Sequence, residues 1–215
     1  MRARKRPLPT WQHERALWQA GHVRVAGVDE VGRGPLAGPV YAGAVVLPTS
    51  RLRWLARVED SKVLEAGERE ELARHIRRSA DFGIGGVSTQ VIDQIGIVAA
   101  TRLAMRLAVA QLAERPDALI VDGREIVAGG IEQRAVIDAD ALSKSVAAAS
   151  IIAKVARDEV MRALDSRFPG YGLAQNKGYY TATHREGLLR LGYSTIHRLT
   201  FAPVRAALRG RLKTP

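Results

Sequence analysis

Two apolar, β-branched stretches, Val23 to Val28 and Val40 to Leu47, are joined by Gly32-Arg33-Gly34-Pro35-Leu36-Ala37-Gly38. That link is turn-rich and has no room for a helix. Parallel neighbours need a crossover of roughly a dozen residues or more, so the two strands are predicted to pair antiparallel. Beyond them the chain alternates strand-like and helix-like segments, the pattern of an α/β sheet with its first strands antiparallel.

Asp60 and Ser61 stand as N-cap candidates before a Glu/Arg-rich stretch that reads as a surface helix to Arg78. Glu65/Arg69 and Glu70/Arg74 lie one turn apart and support it. Phe82 to Val87 reads as a strand weakened by glycines. Ile95 to Glu114 reads as a helix stopped by Pro116, with Leu103, Leu107 and Ala110 on one face and Arg102 and Arg106 on another. Ala118-Leu-Ile-Val-Asp122 and Ala135-Val136-Ile137 read as short buried strands. Leu142 to Leu164 is the longest predicted helix, with an alanine-rich first half. Two tail helices are expected near Thr181 to Leu191 and Pro203 to Arg209. About ten residues at the start and about eight at the end read as frayed.

Composition narrows the function. The 215 residues contain no cysteine, which excludes disulfides, thiolate zinc sites and cysteine nucleophiles together. Aromatic residues make up 5%, too few for a stacking platform. The formal net charge is +11, which points to a polyanionic partner. The excess gathers after Ser166, where Arg167, Lys177, Arg185, Arg190, Arg198, Arg205, Arg209, Arg211 and Lys213 face Glu186 alone. No apolar run is long enough to span a membrane, and the basic start lacks the apolar stretch of a secretory signal. A cytoplasmic location is expected.

The chemistry concentrates where strands end. In Val28-Asp29-Glu30-Val31-Gly32 two carboxylates sit where an apolar strand meets a glycine turn. A pleated strand sends such neighbours to opposite faces, and a strand end or bulge relaxes that. Alone, the pair is more often an ordinary solvated surface feature. Asp122 changes the odds, because it too ends an apolar strand before a glycine, and acids at strand ends of an α/β sheet gather at one crevice. Asp140 adds a fourth acid before the long helix, with helix capping as its structural alternative. Asp138 is its rival, one strand step earlier. Hard oxygen donors without cysteine point to magnesium or manganese, and with a basic surface to phosphodiester chemistry.

Gly32-x-Gly34 is followed next by Gly38, with Pro35 and Pro39 bracketing that spacing and a strand where a dinucleotide fold needs a helix, so that reading fails. Backbone amides facing a phosphate, with Arg33 as an added charge, fit better. No phosphate-binding NTPase loop occurs. His184 and His197 read as solvated residues of the basic tail, with phosphate contact or proton transfer as the alternative. Trp11, Trp18 and Trp54 read as packing residues. Tyr171, Tyr179 and Tyr180 either stack on a sugar or base or wedge between helix and sheet.

The run from Val25 to Val40, Val-Ala-Gly-Val-Asp-Glu-Val-Gly-Arg-Gly-Pro-Leu-Ala-Gly-Pro-Val, resembles the opening signature of ribonuclease HII. Asp60-Ser-Lys62, Val121-Asp-Gly123, the Asp140-Ala-Leu-Ser run into Ala-Ala-Ala-Ser-Ile-Ile-Ala-Lys-Val, Tyr171-Gly and Lys177-Gly-Tyr179 follow in the family's order. The resemblance spans about residues 24 to 203. It implies a ribonuclease H-like α/β fold, a mixed five-stranded sheet flanked by helices with a C-terminal helical segment. Residues 1–22 are then a basic N-terminal extension, 23–165 the catalytic core and 166–215 a basic helical segment packed on the core as one domain.

The resemblance further implies hydrolysis of the RNA strand of RNA–DNA hybrids and incision 5′ of single ribonucleotides in duplex DNA, by a monomer using Mg2+ or Mn2+. By the family pattern Asp29, Glu30, Asp122 and Asp140 bind the metal ions. Gly32, Arg33 and Gly34 read the RNA–DNA junction, Tyr179 packs on the following deoxyribose, and Ser61 and Lys62 line the substrate backbone. Lys144 stands where the pattern has an apolar residue, and Tyr180 where proline is common. Ribonuclease HIII is the rival within the fold, usually with an extra N-terminal domain for which residues 1–28 are too few. A non-catalytic nucleic-acid binder is the rival outside it, and would lack one of the acids.

Overall fold

The computed structural model describes residues 8–50, 52–124, 127 and 129–209. The basic residues before position 8, and Arg211 and Lys213, lie outside the described residues.

The two apolar stretches form β1 (Val25–Val31) and β2 (Val40–Val46), paired antiparallel from Gly27↔Val45 to Val31↔Tyr41. β3 (Asp81–Val87) adds antiparallel to β2. β4 (Ala118–Asp122) lies parallel to β1, and β5 (Glu132–Val136) parallel to β4, giving the sheet order β3-β2-β1-β4-β5. The mixed five-stranded sheet is as expected. β5 starts earlier than Ala135-Val136-Ile137 predicts and ends before Ile137, which is exposed, and as a sheet edge the strand is only partly buried.

Helices cover both faces. On one face lies α5 (Lys144–Arg167), capped by Ser143, whose side chain accepts the Val146 N–H. Beside it lie α1 (Gln12–Gln19) and α2 (Ala66–Ser79). Leu17 of α1 joins Val25, Ile120 and Val146 in this layer. Its Glu14 is buried and accepts from the Ser145 N–H and from the hydroxyls of Ser143 and Ser145. Trp11 and Trp18 pack together at 5.7 Å between ring centres, and Trp54 is buried on His75, as packing residues should be.

α2 does not begin at Asp60 or Ser61. It starts at Ala66, and a turn lies ahead of it in which Asp60 and Ser61 are buried and Lys62 is exposed. Arg69 explains the shift, because its guanidinium donates to the carbonyls of Ser61 and Leu64 and so ties this turn to the helix.

The other face carries α3 (Thr89–Ile95) and α4 (Ile97–Ala110), separated by Gly96 at φ 80°. The predicted apolar face of α4 is not the buried one. Leu107 is 40% exposed, whereas Ala100, Ala104, Met105 and Ala108 are buried. The reason lies across the interface, where Gly83 and Gly85 bring the β3 backbone against the helix. A Cβ at Gly85 would stand 2.0 Å from the Ala104 carbonyl oxygen, and one at Gly83 2.0 Å from that of Ala108. Small residues on both elements permit this close approach, so the larger leucine is turned outward.

The C-terminal segment holds α6 (Leu173–Asn176), α7 (Ala182–Leu191, capped by Thr181) and α8 (Ala202–Leu208). It packs around Leu36, Ala37, Met161, Tyr171 and Leu188. Its backbone reaches the β1–β2 link directly: the Leu36 N–H donates to Gly178, the Gly38 N–H to Ile196, and the Arg198 N–H to Leu36. No helix among the described residues is long and apolar enough to cross a membrane.

Candidate active site

The parallel pairing of β1 and β4 ends at Val28↔Val121, which sets the next residues, Asp29 and Asp122, side by side at the carboxyl ends of adjacent strands. The β1–β2 ladder stays regular through Glu30↔Ala42 and Val31↔Tyr41, so no bulge turns Glu30. Glu30 instead lies beyond the last β1–β4 pair, where the missing neighbour leaves its side chain room. One carboxylate oxygen each from Asp29, Glu30 and Asp122 lies within 4.8 Å of the others.

Each acid is held differently. Asp29 is buried, and its Oδ1 accepts the Glu30 N–H at 2.7 Å. Ser150 of α5 also hydrogen-bonds its side chain, and Ser150 Oγ in turn meets Ser61 Oγ at 2.8 Å. Asp122 Oδ1 accepts the Ala139 N–H at 2.6 Å. Glu30 faces Arg33 Nη1 at 3.5 Å.

Asp140 sits in a buried 3-10 turn, Ala139–Ala141, and does not cap α5, because Ser143 does. It stands outside the close group of three, and its Oδ2 accepts from Lys62 Nζ at 2.7 Å. Its charge still reaches Asp29 and Asp122. The rival Asp138 is exposed, on left-handed backbone at φ 56°.

Burial, then the charges of Glu30 and Asp122, push the Asp29 carboxyl well above the usual carboxylate range. Burial raises Glu30 against the opposing pull of Arg33, and burial raises Asp122 against its bond from Ala139. Partial burial works against the Lys62 charge, but the bond and charge of Asp140 outweigh it and raise Lys62 to about 12. Three carboxylates crowded this closely repel one another, and a hard divalent cation is the group that relieves the repulsion while accepting oxygen donors. The donor set therefore fits Mg2+ or Mn2+.

The Gly32-Arg33-Gly34 turn borders the acids. Gly32 is at φ 90°, and a Cβ there would stand 2.1 Å from Arg157 Nε. Two fully buried guanidiniums hold the turn from behind. Arg157 donates to the carbonyls of Pro39, Ala37 and Lys177. Arg198 donates to those of Gly32, Arg33 and Gly38. Arg33 and Gly34 are exposed, and the exposed Tyr179 ring lies beside Gly34.

Arg157 escapes a reading of the sequence as a site residue, and Arg198 is misread there as part of a basic tail facing solvent. The available signal for Arg157 is a cation one turn before Met161 on an otherwise apolar, buried helix face. His184 and His197 are not solvated either, since both are buried and bond to each other. Tyr171 is a buried wedge whose hydroxyl donates to the Gly192 carbonyl, while Tyr180 is exposed. Lys144 is buried, with its Nζ donating to the Val58 carbonyl just ahead of the Asp60–Lys62 turn.

The family model for ribonuclease HII matches residues 26–204. The chain belongs to the ribonuclease HII family. It is 50% identical over 201 residues to the ribonuclease HII of Dehalococcoides mccartyi, covering 92% of this chain and 95% of that one. It is 52% identical over 201 residues to that of Moorella thermoacetica, covering 93% and 96%. Among solved structures it superposes on the ribonuclease H2 of Pyrococcus horikoshii with a TM-score of 0.76 and 28% identity, over 89% of this chain and all of that one. A manganese-bound ribonuclease HIII shares the fold at a TM-score of 0.70 and 23% identity, with 91% of this chain and 72% of that one covered. As a ribonuclease HII relative along nearly its whole length, the chain is a ribonuclease H enzyme, and its substrates are RNA-containing nucleic acids.

Proposed function

We propose that this enzyme hydrolyses the RNA strand of RNA–DNA hybrids and incises duplex DNA 5′ of a single embedded ribonucleotide. It leaves 3′-hydroxyl and 5′-phosphate ends. The observation that carries the reading is the meeting of Asp29, Glu30 and Asp122 beside the exposed Arg33-Gly34 edge and the Tyr179 ring. All of these groups come from one chain, which supports a site complete in a monomer.

Asp29, Glu30, Asp122 and Asp140 would hold two divalent cations, Mg2+ or Mn2+. When bound, such cations lower the pKa of water and neutralise charge at the scissile phosphate and its leaving oxygen. The chain's own groups do the rest. The backbone of Gly32, Arg33 and Gly34 reads the 2′-hydroxyl, the feature by which a protein distinguishes RNA from DNA. Arg33 holds Glu30 in place and adds positive charge beside the phosphate. Tyr179 packs on the deoxyribose after the ribonucleotide, and the exposed Lys62 lines the backbone next to Asp140, while the buried Ser61 hydroxyl is bonded to Ser150 and supports the turn from inside.

The test is a Mg2+ assay on duplex DNA holding one ribonucleotide, beside the all-DNA duplex and an RNA–DNA hybrid. Incision 5′ of the ribonucleotide with the all-DNA duplex intact supports the reading. Cleavage of the hybrid alone overturns the junction role of Arg33, Gly34 and Tyr179, and cleavage of all-DNA duplex overturns 2′-hydroxyl recognition altogether.

A further inference from the structure

Behind Tyr179 lies a buried polar pair that the chemistry above does not use. His184 of α7 and His197, in the loop before α8, are both buried, and their Nε2 atoms stand 3.1 Å apart. The pair sits in a chain of hydrogen bonds whose ends are settled. At one end the Ser194 N–H donates to His197 Nδ1 at 3.0 Å, so that nitrogen carries no proton. At the other, His184 Nδ1 stands 2.9 Å from the Tyr179 carbonyl, which can only accept.

Both ends dictate the same arrangement. His197 is the Nε2–H tautomer and donates to the bare Nε2 of His184, while His184 is the Nδ1–H tautomer and donates to Tyr179. One added proton would set N–H against N–H at the centre. The surroundings favour the neutral pair. Burial lowers both imidazoles, His197 to about 4, and no carboxylate among the described residues acts on either ring. The other ring here is Tyr171, edge-on at 4.8 Å from His197 and 6.1 Å from His184 between ring centres. Arg198, next in the chain, directs its guanidinium to the Gly32–Gly38 carbonyls instead.

The far end of this chain of bonds is a residue at the site. The Tyr179 carbonyl also accepts the Thr181 N–H, and the Tyr179 N–H donates to Asn176. Its backbone is thus held on both sides while its ring stands exposed beside Gly34. We propose that His184 and His197 are positioning residues, a neutral imidazole pair of fixed tautomers that holds the Tyr179 backbone and so sets the ring against Gly34 for recognition of the sugar. This rests on the sugar-packing role of Tyr179 proposed above.

The experiment is a mutant cycle on the duplex with one ribonucleotide, measured as kcat/KM with Mg2+. His184→Leu removes the donor to Tyr179, and His184→Asn places an amide N–H near the Nδ1 position. The expected result is a loss of about tenfold for His184→Leu, from one lost hydrogen bond, and recovery to within about threefold for His184→Asn. In a Tyr179→Ala background His184→Leu should cost less than about twofold, because the group it positions is gone. An equal loss in both backgrounds overturns the proposal, since the pair would then act on the fold rather than on Tyr179. If Tyr179→Ala by itself keeps wild-type incision, the failure belongs to the Tyr179 reading instead. Nitrogen-15 NMR of the wild-type imidazoles tests the arrangement without any variant: Nδ1–H on His184 and Nε2–H on His197 are expected, and the reverse tautomers overturn it.

Discussion

At the scale of single residues, the cost of the site is charge. Asp29 is buried against Glu30 and Asp122, and in metal-free protein little but Arg33 and Lys62 offsets that repulsion. Asp29→Asn should therefore abolish cleavage while hybrid binding is kept. The same variant should stabilise the chelator-treated protein by about 1 kcal/mol in urea unfolding. Added Mg2+ should stabilise the wild type more than the variant. Wild-type turnover by the variant would remove Asp29 from the chemistry. Arg198 presents the opposite case, a charge that supports structure. With no exposed surface, it satisfies the carbonyls of Gly32, Arg33 and Gly38. Arg198→Ala is expected to destabilise by about 3 kcal/mol or more, because those carbonyls lose their donors. Arg198→Lys should not restore the loss, since one ammonium cannot span the positions of a guanidinium fork. Chemical unfolding of both variants measures it.

Among the elements, the interface of β3 and α4 shows how a weak local signal can be a strong packing one. Gly83 and Gly85 detract from strand propensity, yet they are what lets α4 lie close enough to bury Ala104 and Ala108. Gly85→Val should cost about 3 kcal/mol or more, as the new side chain meets the Ala104 carbonyl. Exposed Leu107→Ala should cost less than about 1 kcal/mol, although the helical pattern points to Leu107 as core. Thermal unfolding of the two variants separates these readings, and a larger loss at Leu107 would refute the observed face. The same logic governs the turn at Asp60-Ser61-Lys62. Its residues have good capping chemistry, but Arg69 claims the Ser61 carbonyl and Lys62 is drawn to Asp140.

For the molecule as a whole, the net charge of +11 sets how it meets a polyanion. Arg167, Arg190, Arg205 and Arg209 are exposed on the C-terminal segment, while Arg198 is withdrawn into the core. Hybrid affinity should fall at least about tenfold between 50 and 200 mM salt. Substituting Arg205 and Arg209 by alanine should flatten the salt slope by up to about one for each phosphate left without its arginine. Arg198 variants should instead change affinity through the fold. Fluorescence anisotropy over a salt series reads both, and an unchanged slope in the double variant would place the duplex elsewhere.

Much of this protein is written locally. The short Gly32–Gly38 link dictates an antiparallel β1–β2 pair, the apolar strand ending in Asp122 is found to the residue, and three acids at strand ends foretell their meeting at one crevice. These are legible because strand period, turn chemistry and donor type act over a few neighbouring residues. What only the tertiary structure decided depends on groups far apart in sequence. The buried face of α4 was chosen by glycines on β3. Asp140 was freed from capping by Ser143 and paired with Lys62, and Arg198 was drawn inward by unpaired carbonyls of a turn more than a hundred residues earlier. The two histidines were buried by Tyr171 and the Gly32–Gly38 link. A cation or imidazole in a sequence looks the same in solvent and core. Burial is decided by which unsatisfied partner it meets, and that partner exists only once the chain has folded.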